Sequence, residues 1–168
     1  MILHKGKYLH LICEDNWEYV KRTQCSGIVV IVPMTPEGKV IFVEQFRRPV
    51  EAHVIEWPAG LVNDKISHDP ETMEAAARRE LLEETGYHAE HLSLLVGGPV
   101  SSGLSSEIIT FYQALDVVKI APGGGDATES IRVHEIPLKE ADLWLNEMER
   151  KGFLVDPKVY VGLYFLKT

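Results

Sequence analysis

Ile28 to Val32 is an unbroken run of five β-branched residues closed by Pro33. So short an apolar run, with no polar alternation, reads as a buried strand. Pro36-Glu37-Gly38-Lys39 has turn chemistry, and Val40 to Val43 supplies the second arm of a hairpin. His53 to Trp57 is a shorter strand, stopped by Pro58-Ala59-Gly60, and Tyr8–Cys13 with Glu18–Thr23 form a small antiparallel pair ahead of the hairpin. A polar loop from Val62 to Asp69 follows. The pattern then predicts a helix with Asp69 as N-cap and Pro70 at its first position. It runs through Ala75-Ala76-Ala77, which give high propensity and a thin packing face, to about Thr85, with Gly86 as the residue that ends it. Leu92–Val96 and Ile108–Leu115 read as strands around the loop G-G-P-V-S-S-G-L-S-S. The stretch A-P-G-G-G-D-A-T-E-S, from Ala121, is too glycine-rich for regular structure and is expected to be mobile. Ile131–Ile136 is a strand, Lys139–Lys151 an amphipathic helix and Pro157–Leu166 a last helix.

Strands, a helix, strands and helices without regular βαβ alternation predict an α+β fold, a mixed β-sheet flanked by helices, and exclude a Rossmann domain or barrel. With 168 residues, no internal repeat and no linker, the expectation is one domain. The net charge of −8 argues against nucleic acid or an anionic membrane surface as partner. An anionic substrate would need local arginines, a metal, or both. The N-terminal residues carry neither a signal-peptide nor an anchor pattern, and no stretch approaches the ~20 apolar residues of a membrane span. Two cysteines, Cys13 and Cys25, without a C-x-x-C and with scattered histidines, fit a reducing cytoplasm and no zinc site.

The chemistry concentrates in R-E-L-L-E-E-T-G-Y, residues 79–87. On a helix, Glu80, Glu83 and Glu84 fall within an arc of about 100°. Like charges at such spacings destabilise by roughly 0.2–0.5 kcal/mol each. Such a cluster is either a solvated acidic face or a set of hard oxygen donors for Mg²⁺ or Mn²⁺. A metal held this way and bridging a diphosphate activates water against a phosphoanhydride. Arg79 stands beside Glu80 and one turn before Glu83, with Glu71 further back.

From Glu71 onward the segment resembles the Nudix box, G-x5-E-x7-R-E-U-x-E-E-x-G-U with U apolar: Glu71, seven residues, Arg79-Glu80, Leu81, Leu82, Glu83-Glu84, Thr85, Gly86, Tyr87. The departure is upstream. Lys65 stands where the box glycine belongs, and ten residues separate Gly60 from Glu71 instead of five. We read Lys65–Asp69 as a five-residue loop insertion, which chain entropy tolerates. E-Q-F-R-R-P-V (Glu44–Val50) and E-W-P-A-G-L (Glu56–Leu61) resemble the ADP-ribose and nucleotide-sugar pyrophosphatase branch of the family.

The resemblance implies an α/β/α sandwich and substrate contacts by Arg47 and Glu56. It also implies a metal held by Glu80, Glu83, Glu84 and the backbone carbonyl of Ala59. Independently, adjacent arginines after a strand suit a diphosphate through bidentate hydrogen bonds. Side chains alternate along a strand, so either Arg47 or Arg48 points into the site. S-S-G-L-S-S-E (Ser101–Glu107) matches the family's S-P-G-F-S-x-E with Ser102 in place of proline, which leaves ADP-ribose, GDP-mannose and UDP-glucose open. Glu107 is either an aid near the diphosphate or a surface glutamate at a strand edge. Relatives take a catalytic base from the loop before the next strand. Glu129 fits that register, with Asp126 second, and the triple glycine beside it suits a closing lid. Relatives also form swapped dimers through their N-terminal sheets. Trp17 in the strand pair of about residues 7–24 therefore either stacks on a base or is a half-buried core residue, while Trp144 belongs to the core.

The expected activity is Mg²⁺-dependent hydrolysis of a nucleoside diphosphate sugar to a nucleoside monophosphate and a sugar phosphate, by a cytoplasmic homodimer. Glu83, Glu84, Glu129 and Arg79 would serve the chemistry, Arg79 by orienting the glutamates. The rivals are a (d)NTP or dinucleoside polyphosphate pyrophosphohydrolase and a non-catalytic nucleotide-sugar-binding regulatory module.

Overall fold

The structure, a computed structural model, describes residues 1–63, 70–125 and 130–168. Its first unit is a three-stranded antiparallel sheet, β1 (Ile2–Lys5), β2 (Leu9–Glu14) and β3 (Trp17–Arg22). The expected pair is present, with an extra strand ahead of it. β1 is exposed along its whole length, so no burial pattern marked it. β2 and β3 are joined by Asp15-Asn16, both at positive φ, the backbone a two-residue hairpin turn requires.

The apolar run lies in β4 (Gly27–Met34), which pairs with β5 (Lys39–Arg47) around the predicted turn. Val29 and Ile31 of β4 pack toward one face and Val30 and Val32 toward the other, which is why the run does not alternate. The hairpin then opens. Only Met34 and Val40 are paired. Beyond them β5 takes β6 (Ala52–Glu56) along Val43–Arg47, while β4 takes β7 (Ala59–Val62) from Gly27 to Val30. β7 corrects the reading of Pro58-Ala59-Gly60 as a stop. Pro58 carries the chain from one arm to the other, and its carbonyl accepts a hydrogen bond from Ile31 N at 2.8 Å.

Helix α1 spans Met73–Thr85, and its N-cap is Thr72, whose hydroxyl accepts from Ala75 N at 3.2 Å. The expected start at Pro70 is therefore wrong by three residues; Asp69, read as the cap, lies outside the described residues. A β-hydroxyl at Thr72 satisfies an N-terminal amide directly, which leaves Glu71 ahead of the helix and facing back across the loop. Gly86 ends α1 as expected, with φ 77° and its N–H on Leu82 O.

The remaining elements are β8 (Tyr87–His88), β9 (Ser93–Pro99), β10 (Ile108–Leu115), β11 (Val118–Lys119), β12 (Ile131–Pro137), α2 (Ala141–Arg150), β13 (Leu154–Val155) and α3 (Pro157–Lys167). The main sheet runs β13-β6-β5-β4-β10-β9, with β12 on β5 and β7 on β4. β4–β10 and β6–β13 are parallel and its other pairs antiparallel, so the sheet is mixed. Ala76, Ala77 and Leu81 of α1 cover Val29, Ile31 and Ile41 on one face. Leu145, Met148, Val159 and Leu163 of α2 and α3 cover Phe42, Trp57 and Phe111 on the other. The result is the α/β/α sandwich. Trp144 stacks on Phe42 with ring centroids 5.6 Å apart, on the core side as expected.

Residues 121–125 form no helix or strand, as expected, and are hydrogen-bonded to the end of α1. Gly124 N and Gly125 N donate to the carbonyls of Glu84 and Glu83 at 2.8 and 3.1 Å. Ile120 N and Ala121 N both donate to Gly86 O. The end of a helix leaves carbonyls without intrahelical partners, and this strap supplies them. No helix among the described residues is long and apolar enough to cross a membrane.

Candidate active site

The parting of β4 from β5 leaves a cleft of about 480 Å³, walled by Ile28, Val30 and Ala59–Leu61 on one side and by Arg47, Glu56 and Trp57 on the other. α1 closes its floor with Arg79, Glu80 and Glu83. The box glutamates of α1 are not simply a solvated face: Glu80 and Glu84 are 9% and 6% exposed and Glu83 is half-buried, whereas Glu74 and Ala75 of the same helix are exposed. Gly60 makes room for this, because a Cβ there would stand 1.9 Å from Cδ of Glu80.

Arg79 organises the floor. Its Nε meets Glu71 Oε1 at 2.8 Å and its Nη1 meets Glu80 Oε1 at 2.6 Å and Glu83 Oε2 at 3.3 Å. Its Nη2 donates to Glu71 Oε2 and to Leu61 O. The Glu71 hydrogen bonds, above all, push the guanidinium even above its usual high pKa. Arg79 thus pairs with Glu71, Glu80 and Glu83 at once. Glu84 lies behind the wall and accepts from Ala59 N at 3.1 Å. Glu71 also receives Asn63 N, while Asn63 Oδ1 accepts from Glu71 N, so the two residues clasp the base of the loop between them. The insertion read at Lys65–Asp69 lies outside the described residues. As they stand, the carboxylates are turned to protein partners. Among the described residues no three His, Cys, Asp or Glu groups are gathered closely enough to hold a metal ion without rearrangement.

On the opposite wall Arg47 Nε contacts Glu56 Oε2 at 2.7 Å. Burial pushes the Glu56 carboxyl above its ordinary pKa, and Arg47 offsets part of that. The alternative, Arg48, begins a short 3₁₀ turn, is exposed and does not line the cleft. Glu107 does line it, paired through Oε1 with Arg22 Nε at 2.6 Å. Trp17 is 61% exposed, which overturns the core reading; its Nε1 donates to Gly103 O at 3.2 Å, and it does not line the cleft. Glu129 and Asp126 lie outside the described residues.

Two cleft residues escaped the sequence reading, Arg22 and Lys158. Arg22 ends a strand assigned to a peripheral sheet, and Lys158 opens a helix some hundred positions downstream of Glu56, so neither stood near a motif. With Arg47 and Arg79 they bring four cations into one cleft of a chain with net charge −8. The same lining carries Glu56, Glu80, Glu83 and Glu107, so the four cations are matched by as many carboxylates.

The family model of the NUDIX domain matches residues 26–155. A methanol dehydrogenase activator of Bacillus methanolicus is 33% identical over 98% of this chain and 88% of its own length. An ADP-ribose pyrophosphatase of Bacillus subtilis strain 168 is 34% identical over 83% of this chain and 76% of its own. A solved structure, the crystal structure of an ADP compounds hydrolase, superposes with a TM-score of 0.72 at 19% identity, covering 99% of this chain and 89% of that one, and shows the same fold. The match of the family model over most of the chain, together with these relatives, establishes that the chain belongs to the Nudix family and is a hydrolase.

Proposed function

We propose that this Nudix hydrolase cleaves the diphosphate bridge of a nucleoside diphosphate sugar of the ADP-ribose, GDP-mannose or UDP-glucose type, releasing a nucleoside monophosphate and a sugar phosphate. The observation that carries the reading is one cleft lined by the box glutamates Glu80 and Glu83 of α1 together with Arg47, Arg22 and Glu56. Mg²⁺ or Mn²⁺ fits the donor set: three carboxylates at helical i, i+3 and i+4, all hard oxygen ligands. Glu80, Glu83, Glu84 and the Ala59 carbonyl would hold it. The ion would supply positive charge to the diphosphate and lower the pKa of a bound water.

The chain's own residues do the rest. Arg47 holds a phosphate oxygen and is itself steadied by Glu56. Arg79 keeps Glu71, Glu80 and Glu83 in one array. Glu129, or one of the box glutamates, takes a proton from the attacking water as its oxygen bonds to one phosphorus, and the bond from that phosphorus to the bridging oxygen breaks, leaving the oxygen on the departing phosphate. Glu107 assists from the facing wall. Two reduced cysteines fit a cytoplasmic setting. The exposed apolar side chains of the N-terminal region, Ile2, Leu3, Tyr8, Leu9 and Trp17, favour a homodimer that covers them, in which Trp17 would stack on a base in the neighbouring protomer's site.

The test is a panel of ADP-ribose, GDP-mannose, UDP-glucose and dNTPs with Mg²⁺, scored by phosphate released after phosphatase treatment. Turnover confined to dNTPs overturns the proposal. Sedimentation velocity decides the dimer. A second reading, hydrolysis in the service of activating a partner dehydrogenase, is favoured by the match of nearly the whole chain to the activator. It predicts faster turnover of a methanol dehydrogenase on addition of this protein, and no such effect from its Glu84→Gln variant.

A further inference from the structure

We infer that β3 clamps the Ser101–Glu107 loop along its length, and that Arg22 is a positioning residue that holds the Glu107 carboxylate at the wall of the catalytic cleft. One edge of β3 is occupied by β2. The other carries the loop: Val20 N donates to Leu104 O at 2.8 Å and Ser106 N donates to Val20 O at 3.1 Å. Val20 and Ser105 form a parallel bridge. At one end Trp17 Nε1 donates to Gly103 O, and at the other Arg22 Nε meets Glu107 Oε1 at 2.6 Å. These contacts span Trp17 to Arg22, about 17 Å of extended chain. The N-terminal sheet is thereby continued by the loop and reaches the cleft of its own chain.

The loop needs this support. From Ser101 to Glu107 it reads S-S-G-L-S-S-E, with no proline to preset its backbone. Its internal bonds, from Leu104 N and Ser105 N to Ser101 O and from Glu107 N to Ser105 Oγ, fold the turn but do not aim Glu107. Glu107 also shares its cleft with Glu56, Glu80 and Glu83, whose charges repel it. The guanidinium of Arg22 is the counter-charge within hydrogen-bond distance. The pair is partly withdrawn from water, at 31% and 21% side-chain exposure, where a charge-assisted bond fixes geometry better than at the open surface.

The test compares Arg22→Gln, Arg22→Lys, Glu107→Gln and the double variant Arg22→Gln/Glu107→Gln. Amide hydrogen exchange is read at Val20, Ser106 and α1, and kcat and KM on the best diphosphate substrate. The kinetic arm rests on the pyrophosphatase reading; the exchange arm needs no substrate. In Arg22→Gln, exchange at Val20 and Ser106 should accelerate while α1 stays protected. Its kcat should fall by roughly 10- to 100-fold, the scale of a misplaced catalytic group, with a smaller change in KM. The double variant should lose no more than the worse single one, and Arg22→Lys should recover part of the loss. Unchanged loop exchange in Arg22→Gln, or kcat losses that multiply in the double variant, overturns the inference. If the wild type hydrolyses no diphosphate, that reading falls and exchange alone decides the clamp.

Discussion

A hydrogen atom is all that fits on the Cα of Gly60, because the Glu80 carboxylate packs where a methyl group would be. Gly60→Ala should force Glu80 off its position, an overpacking change of about 1–3 kcal/mol. The melting temperature should drop by several degrees, and turnover should fall further than this destabilisation explains, because a box carboxylate moves. Glu56 carries a pH signature. Burial raises its carboxyl pKa in the folded state, with Arg47 pulling the other way. The native state therefore favours the protonated form, and stability declines as pH rises from the ordinary carboxylate range through the raised value. Urea unfolding across that window should show this decline in the wild type and lose it in Glu56→Gln; an identical pH dependence in both would sink the assignment. The carboxylates and Arg47 were legible because their types and spacing repeat a chemical requirement. Arg22 and Lys158 were not, since their place in the cleft depends on which elements fold next to it.

At the scale of the element, α1 is fixed at both ends by contacts of different kinds. Thr72 caps its start, and Thr72→Ala should lower stability by about 1 kcal/mol. At its end Gly86 has φ 77°, and a Cβ would stand 2.0 Å from Ala121 O. Gly86→Ala should therefore exceed the roughly 1 kcal/mol of a left-handed backbone alone. It should also release the strap, seen as faster amide exchange at Gly124 and Gly125; protection equal to wild type would refute the strap. The apolar β4 run, the β5 arm, β10 and β12 could be read from sequence because burial imposes their pattern. β1, β7 and the first turn of α1 could not. The boundaries of β1 and β7 come from tertiary partners, β2 and the open edge of β4, while α1 starts at a local cap, the Thr72 hydroxyl on Ala75 N. Residues 121–125 were legible as irregular but not as a strap, because only the fold brings their glycines against the end of α1.

Over the whole molecule, the opening of the β4–β5 hairpin sets the site, and the two residues that flank the unusual loop before α1 are joined to one another. Asn63, at φ 59°, and Glu71 hydrogen-bond to one another, and Glu71 passes the connection to Arg79. Seven residues lie between the two ends of that clasp. If the clasp isolates them from the cleft, most can be removed without disturbing the carboxylate array. Replacing residues 65–69 by a single glycine leaves three between Asn63 and Glu71. Loop closure then favours the shortened chain by about 0.7 kcal/mol, each halving of loop length contributing roughly 0.6. The expected outcome is a melting temperature equal to the wild type or slightly higher, with kcat on the preferred diphosphate unchanged. A shortened protein that melts normally but loses turnover, or changes its preference among ADP-ribose, GDP-mannose and UDP-glucose, would show that these residues shape the substrate site. The clasp would then be a hinge for them rather than a boundary.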